Sequence, residues 1–351
     1  MTKIFIIAGE SSGDWLGAKL ISALRKKLPA TEISGVGGPK MELEGFKSIF
    51  PMKEISLMGF AEILPHAFNL MKRLKQTEKA IIQQQPDVVI TIDSPGFNFR
   101  IAERIQHLRP QTKLVHYVAP TVWAYKPERA EKVNRLFDKL LCILHFEPKY
   151  FTNAEFIGHP IVEDNLDKGD AEGFKARHDL DDFICLMPGS RKGEVTKLLP
   201  TFLEAAKKLD KKPVIIAADN VQINEDVVVV HNREKLDCFA ASSCGIIKSG
   251  TSGLEYAFAG KPYVIAYKAN PITAWMVKRM INVKFVNLVN ILFDREIVPE
   301  LLQEKCTAGE IISALSKGEV VDKAQLLEKL SGGIASPSAL AADKIISLIQ
   351  S

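Results

Sequence analysis

The chain has 351 residues, 46% hydrophobic and 25% charged, which at roughly 100 to 200 residues per domain predicts two globular domains and excludes disorder and fibres. Its 46 Lys and Arg against 42 Asp and Glu leave a net charge of +4, suited to anionic partners but short of the basic excess of a nucleic-acid binder. In chain order, Ile4 to Ala8 is an apolar run too short for a signal peptide that leads into Gly and Ser turn chemistry, so it reads as a buried first strand. Val88 to Ile92, Leu114 to Val118, Leu140 to Leu144 and Phe156 to Gly158 follow, separated by longer amphipathic stretches. Continuous rather than alternating hydrophobicity implies strands buried on both faces of a parallel sheet, and the rhythm is βαβ. A second series runs through Phe183 to Met187, Val214 to Ala217, Val227 to Val230, Gly245 to Ile247 and Tyr263 to Ala266.

Between the series lies Glu163-Asp-Asn-Leu-Asp-Lys-Gly-Asp-Ala-Glu-Gly, a polar linker that puts the boundary near residue 165 and divides the chain into 1–165 and 166–351. From Pro299 onward the chain reads as helical. It ends in Ser338 to Gln350, with Leu340, Ala341, Ile345, Ile346 and Leu348 on one face. These last helices can pack back on the first domain or on a partner subunit. The expected fold class is α/β, two Rossmann-like doubly wound domains facing a cleft, with function in the loops after strands.

Stretches free of Asp, Glu, Lys and Arg, such as Leu114 to Tyr125, fall short of the roughly 18 to 20 apolar residues that span a bilayer. No transmembrane helix and a cytoplasmic location are expected. The five cysteines are odd in number and scattered through apolar segments, and the seven histidines form no H-E-x-x-H pair. Packed thiols are expected, with no metal.

Gly9-Glu10-Ser11-Ser12-Gly13-Asp14 joins the first strand to a helix with apolar positions Leu16, Leu20, Ile21 and Leu24. The glycines allow a tight turn and the helix N-terminus offers N–H groups to an anion or polar ligand; alternatively Asp14 only caps the helix. Asp93, in Thr91-Ile92-Asp93-Ser94-Pro95-Gly96-Phe97-Asn98, is either a general base on a rigid strand end or a helix cap. His116 to Tyr125 carries Tyr117, Trp123 and Tyr125 ahead of Lys126, Arg129 and Lys132. Such a loop can cover a sugar or acyl chain, or its rings can be core. Leu186-Met187-Pro188-Gly189-Ser190-Arg191 repeats strand, turn and helix with a cation suited to diphosphate. Lys248-Ser249-Gly250-Thr251-Ser252-Gly253-Leu254-Glu255 is another such turn, and Glu255 is either a ribose acceptor or a surface carboxylate. Ala61 to Lys79 sets Ile63, Leu64, Ala67, Phe68, Leu70, Met71 and Leu74 against Lys72, Arg73, Lys75 and Lys79. That pattern suits an interfacial helix, or one packed on its own domain.

Together, GESSGD, MGFAEILP from Met58 to Pro65, IDSPGFN, HYVAPTVWAY, PGSR, SGTSGLE and FVNLVNIL from Phe285 to Leu292 resemble the lipid-A-disaccharide synthase family in order and spacing, from residue 4 to about residue 305. The resemblance implies the GT-B fold. It also implies transfer of 2,3-diacylglucosamine from UDP to 2,3-diacylglucosamine 1-phosphate, giving a β(1→6) disaccharide with inversion and without cofactor. It makes Asp93 the essential carboxylate and candidate base, with Glu10 next. It assigns Arg191, Gly189, Ser190, Ser249, Gly250, Thr251 and Asn290 to the donor and Glu255 to its ribose. Ser11, Ser12, Asp14, Met58, Gly59, Glu62 and Trp123 fall on the acceptor and lipid side. Gly96 stands where the family often has a second acid, and Val289 where it often has Pro.

Because both substrates carry acyl chains, the resemblance further implies visits to the inner membrane. Phe68, Leu70, Met71, Lys72, Arg73 and Lys75 are the expected contacts, and a homodimer is expected. The alternatives are a UDP-sugar epimerase of the same architecture, which would release no disaccharide, and a two-domain ligand-binding protein without catalysis.

Overall fold

A run that is apolar at every position can bury both its faces only between two layers of helix. Each of the two series accordingly forms a six-stranded parallel sheet in the computed structural model of the protein. The structure describes residues 1–56, 60–218, 221–270 and 283–350, with the side chains of 60–67 left aside. The chain divides into two units, Met1–Glu163 with Leu330–Ser351, and Asp164–Lys329.

In the first unit, β1 (Lys3–Ala8), β2 (Glu32–Val36), β3 (Val88–Ile92), β4 (Lys113–Tyr117), β5 (Lys139–Cys142) and β6 (Ala154–Phe156) lie in the order β2-β1-β3-β4-β5-β6. Ile6 pairs with Gly35 on one side and Ile90 on the other, which fixes the register at the sheet's centre. Helices α1 (Ser11–Lys27), α2 (Pro39–Leu43), α3 (Phe60–Gln84), α4 (Pro95–Arg104) and α5 (Arg129–Leu136) make the crossovers. Because strand side chains alternate between faces, Phe5, Ile7 and Val89 meet Leu74 and Ile81 of α3 and Ile101 of α4, while Ile4, Ile6 and Ile90 meet Leu16, Leu20 and Leu24 of α1.

The second unit repeats the plan with β7 (Phe183–Met187), β8 (Lys212–Ile216), β9 (Val228–Val230), β10 (Cys244–Lys248), β11 (Tyr263–Tyr267) and β12 (Glu300–Leu302), ordered β12-β11-β10-β7-β8-β9. Its helices are α6 (Ala171–His178), α7 (Lys192–Lys208), α8 (Lys235–Ala241), α9 (Thr251–Ala257), α10 (Leu288–Phe293), α11 (Ala308–Lys317) and α12 (Lys323–Ser331), the last two residues of which fall in the first unit. Ile184, Leu186, Ile246 and Val264 of the sheet pack on Leu198 and Phe202 of α7 and Ile311 of α11.

The last helix, α13 (Pro337–Gln350), belongs to the first unit, where Ala341, Ala342 and Ile345 are fully buried in the cluster that contains α1. The Glu163 carboxylate caps it, accepting from Ser338 N at 2.8 Å, Ser338 Oγ at 2.7 Å and Ser336 Oγ at 3.0 Å. A carboxylate on first-turn N–H groups adds about 0.5 to 2 kcal/mol.

In both sheets the first strand of the series has its successor on one side and a later strand on the other. The loops leaving β1 and β3, and those leaving β7 and β10, therefore turn to opposite faces and open a crevice at the strands' carboxyl ends. Two strands fall outside the predicted series. Both β2, Glu-Ile-Ser-Gly-Val, and β12, Glu-Leu-Leu, are edge strands. Edge strands need no continuous apolar run, and β12 corrects the expectation of helix throughout the stretch after Pro299. Ala171 to Gly173, read as linker, instead open α6, with Asp170 accepting from Gly173 N at 2.9 Å.

Candidate active site

At the first crevice Gly9 and Glu10 follow β1 while Asp93 and Ser94 follow β3. The two loops approach so closely that a Cβ on Gly9 would lie 2.6 Å from Ser94 Oγ, and only glycine leaves room for that hydroxyl. Ser94 Oγ in turn lies 3.5 Å from Glu10 Oε1. Asp93 and Ser94 both adopt left-handed backbone, with φ of 49° and 45°. Such residues cost on the order of 1 to 3 kcal/mol and persist only when neighbours hold them.

The hold comes from Asn98, fully buried, whose Nδ2 donates to Ile92 O at 3.0 Å and Asp93 O at 2.7 Å. Asp93 N also donates to Tyr117 O at 2.9 Å on the neighbouring strand. Burial pushes the Asp93 carboxyl above its ordinary value, opposed by a hydrogen bond from the Ser94 backbone. A rigidly held carboxylate with a raised pKa can act as a general base. The sequence motif gives Asn98 no role of its own. The signal was an amide five residues past the acid, close enough to reach back to the turn.

Asp14 departs from expectation. It is buried, and its carboxylate accepts from Gly38 N at 2.8 Å, Lys40 N at 3.0 Å and Met41 N at 3.1 Å, bracing α1 against the start of α2. Three backbone donors occupy it, so it is a brace rather than an acceptor ligand. Ser11 is exposed and Ser12 half-buried in the first turn of α1. Met58 and Gly59 lie outside the described residues, as does the side chain of Glu62.

Trp123 follows β4, its ring edge-on to Phe146 at 5.3 Å. Next to Phe146, Glu147 is buried and accepts from Leu144 N at 3.1 Å; burial pushes its carboxyl up to about 7. The Trp123 indole N–H beside this carboxyl draws its pKa down without reaching full hydrogen-bond geometry. His116 is packed between Phe99 and Phe137, and burial depresses it to about 3, which keeps it neutral.

The second crevice is lined with charge. Gly189, with φ of 120°, turns the chain after β7 where a Cβ would sit 2.5 Å from Glu194 Oε2. Arg191 is the N-cap residue just before α7 and its Nη1 lies 3.7 Å from Glu194 Oε1; Lys248 Nζ, at the end of β10, lies 3.2 Å from the same oxygen. Ser190 stands exposed beside Arg191, and Ser249, Gly250 and Thr251 turn from β10 into α9. Glu255 on α9 accepts from Lys235 Nζ at 2.8 Å. The pair orients its carboxylate, which can take more than one donor. Glu194 and Lys248 received no role from the sequence.

Asn290 does not join this group. It is fully buried: Nδ2 donates to Val298 O at 2.7 Å and Glu300 Oε1 at 2.9 Å, while Oδ1 accepts from Ile297 N at 2.9 Å and Val298 N at 3.0 Å. Both hydrogens and both lone pairs are spent inside the fold, which removes it from the donor contacts. Along α3, Phe68 is 93% exposed, Met71 45% exposed, and Lys72 and Lys75 exposed. Leu70 is instead buried in the core and Arg73 is paired with Glu54 at 2.6 Å. These two face the protein, correcting their assignment to the lipid side. Among the described residues no helix is long and apolar enough to cross a membrane.

A model of the lipid-A-disaccharide synthetase family matches residues 4–331. The lipid-A-disaccharide synthase of Rhodospirillum centenum is 41% identical over 99% of this chain and 94% of its own. Among solved structures, UDP-GlcNAc 2-epimerase of Methanocaldococcus jannaschii, in complex with UDP-GlcNAc and UDP, gives a TM-score of 0.65 at 13% identity, covering 99% of each chain. CalG4, the calicheamicin glycosyltransferase, gives 0.63 at 14% identity over 100% of this chain and 98% of its own. At such identities the likeness is to the fold alone, two Rossmann-like domains in tandem.

Replacing Asn290 by Ala strands the Ile297 and Val298 N–H groups and the Val298 carbonyl. At about 1 to 3 kcal/mol for a buried unsatisfied group, the variant is expected to lose roughly 3 kcal/mol in urea denaturation. Wild-type stability would return Asn290 to the ligand contacts.

Proposed function

The chain belongs to the lipid-A-disaccharide synthetase family, and from that premise we propose how its residues share the reaction. The enzyme joins UDP-2,3-diacylglucosamine to 2,3-diacylglucosamine 1-phosphate, giving the β(1→6) disaccharide 1-phosphate and UDP. Asp93 takes the proton of the acceptor 6-hydroxyl while that oxygen attacks the donor's anomeric carbon. The bond to the diphosphate breaks in the same in-line displacement, so the centre inverts and no covalent intermediate forms. Arg191 and the N-terminus of α7 meet the charge that develops on departing UDP, and Glu255 accepts from the ribose. The observation that carries this reading is Asp93, partly desolvated in a held left-handed turn beside Glu10 and Ser94.

Purified protein mixed with both lipid substrates in detergent is expected to release UDP. Asp93→Asn is expected to fold and to lose roughly 10²- to 10⁴-fold in kcat. Since a base works only unprotonated, the raised pKa moves the acid limb of the wild-type kcat/KM profile above that of an ordinary aspartate. Near-wild-type turnover of the folded variant would shift the role to Glu10.

Arg191→Ala and Glu255→Gln are expected to weaken UDP in calorimetric titration. The first removes a charge-assisted contact worth about 1.5 to 3 kcal/mol. Unchanged affinity in both would sink the assignment of the donor to the second unit.

Acyl substrates also call for a lipid surface, and the outer face of α3 suits one: Phe68 and Met71 are apolar, and Lys72 and Lys75 add roughly 1 kcal/mol each near anionic headgroups. On the family resemblance we take the enzyme to act at the inner membrane as a homodimer. Phe68→Ser with Met71→Ser is expected to reduce sedimentation with anionic vesicles while leaving the thermal melt in place. Vesicle binding equal to wild type would move the contact elsewhere.

A further inference from the structure

The second crevice holds more positive charge than its one assigned arginine. Lys248 is the last residue of β10, and the residue before it, Ile247, pairs with Met187 at the end of β7. Lys248 thus sits at the strand pair where the order of the sheet reverses, the position at which ligands of doubly wound sheets bind. Its Nζ lies 3.2 Å from Glu194 Oε1 and 5.5 Å from the centre of the Tyr267 ring, which ends the adjacent β11.

Glu194 itself is largely buried. Its side chain is 11% exposed and its Oε2 is buried against Gly189, where a Cβ would stand 2.5 Å away. The same carboxylate faces Arg191 at 3.7 Å. Arg191 and Lys248 thus share one carboxylate, whose single negative charge does not offset both. The Lys248 side chain keeps 25% of its surface exposed, so the ammonium remains reachable from solvent.

We propose that Lys248 is a second diphosphate-binding cation beside Arg191, held at the crevice by Glu194 and the face of Tyr267. The inference rests on the reading that the second unit takes the nucleotide donor. It adds a residue that meets the negative charge of the leaving diphosphate. Lys248 contributes a point charge where Arg191 contributes a planar fork, so the two can engage different oxygens of one diphosphate.

The test compares UDP, by titration calorimetry, with uridine, by ligand-observed NMR, on the full chain. Lys248→Met is expected to bind UDP about 10-fold more weakly and uridine as wild type does, and added salt should weaken UDP binding less than in the wild type. Lys248→Arg should bind UDP within about 3-fold of wild type. If Lys248→Met does not fold, Lys248→Gln, which can still donate to Glu194, takes its place with the same thresholds. UDP affinity unchanged in a folded neutral variant overturns the proposal, as does a parallel loss for uridine, which would make Lys248 a prop of the fold. Absence of UDP binding by the wild type would instead overturn the donor assignment beneath it.

Discussion

The structure depends on one topological constraint: in each parallel sheet the strand that starts the series is not at the edge. Chain leaving β1 and β3, or β7 and β10, must go to opposite faces, and the backbone groups at those strand ends have no further ladder to join. Something else must satisfy them. In the first sheet the ladder ends with Asp93 N donating to Tyr117 O of β4, and beyond it Asn98 takes the carbonyls of Ile92 and Asp93. Those bonds hold the left-handed turn at Asp93 and Ser94. Residues some eighty positions apart, Gly9-Glu10 and Asp93-Ser94, become one place because the strand order brings their loops together.

The strands of both sheets were legible for a simple reason. All ten runs read from the sequence overlap strands, with ends displaced by at most two residues, although Phe156 to Gly158 shares only Phe156 with β6; the inner strands were legible because a strand covered on both faces must be apolar throughout. The misses, β2 and β12, are edges, where that requirement lapses. The turns after strands were legible from Gly and Ser chemistry for a similarly local reason. What each motif side chain touches was not legible, because the partners are distant. Asp14 binds backbone 24 to 27 residues away and Asn290 binds groups 7 to 10 residues away. A motif pattern does not say whether a polar residue contacts a ligand or fastens the loop that does. Counting its donors and acceptors in the folded chain does.

Helix α3 shows the same limit on a larger scale. Leu70, Leu74, Thr77 and Ile81, spaced four, three and four, are buried, while Phe68, Lys72, Lys75 and Lys79, on the same spacing two residues back, lie outside. Both sets satisfy a 3.6-residue period, so a window over Ala61 to Lys79 reads as one amphipathic helix without saying which apolar residues face inward. Arg73 falls with the buried set because Glu54 waits there, with the Phe50 ring 4.8 Å from its guanidinium. The helix can hold its own domain with one face and still offer Phe68 and Met71 to a lipid surface with the other.

The two crevices differ in sign, and the difference fits the chemistry assigned to them. The first has carboxylates after both flanking strands, Glu10 and Asp93, and desolvation raises the proton affinity of the second. The other has a cation at or past the end of each flanking strand, Lys248 and Arg191, both near Glu194. A displacement at an anomeric carbon needs both kinds of place: one that takes a proton from the attacking hydroxyl, and one that receives the charge left on the diphosphate. Exchanging them would fail, since a lysine in place of Asp93 would be charged and unable to accept a proton near neutral pH. A carboxylate facing the diphosphate without surplus cations would repel it. Glu194 is outnumbered in the second crevice, with Lys248 at 3.2 Å and Arg191 at 3.7 Å from one of its oxygens. The same fold, used twice in one chain, thus presents carboxylates at one crevice and a pair of cations at the other through the residues at the ends of its innermost strands.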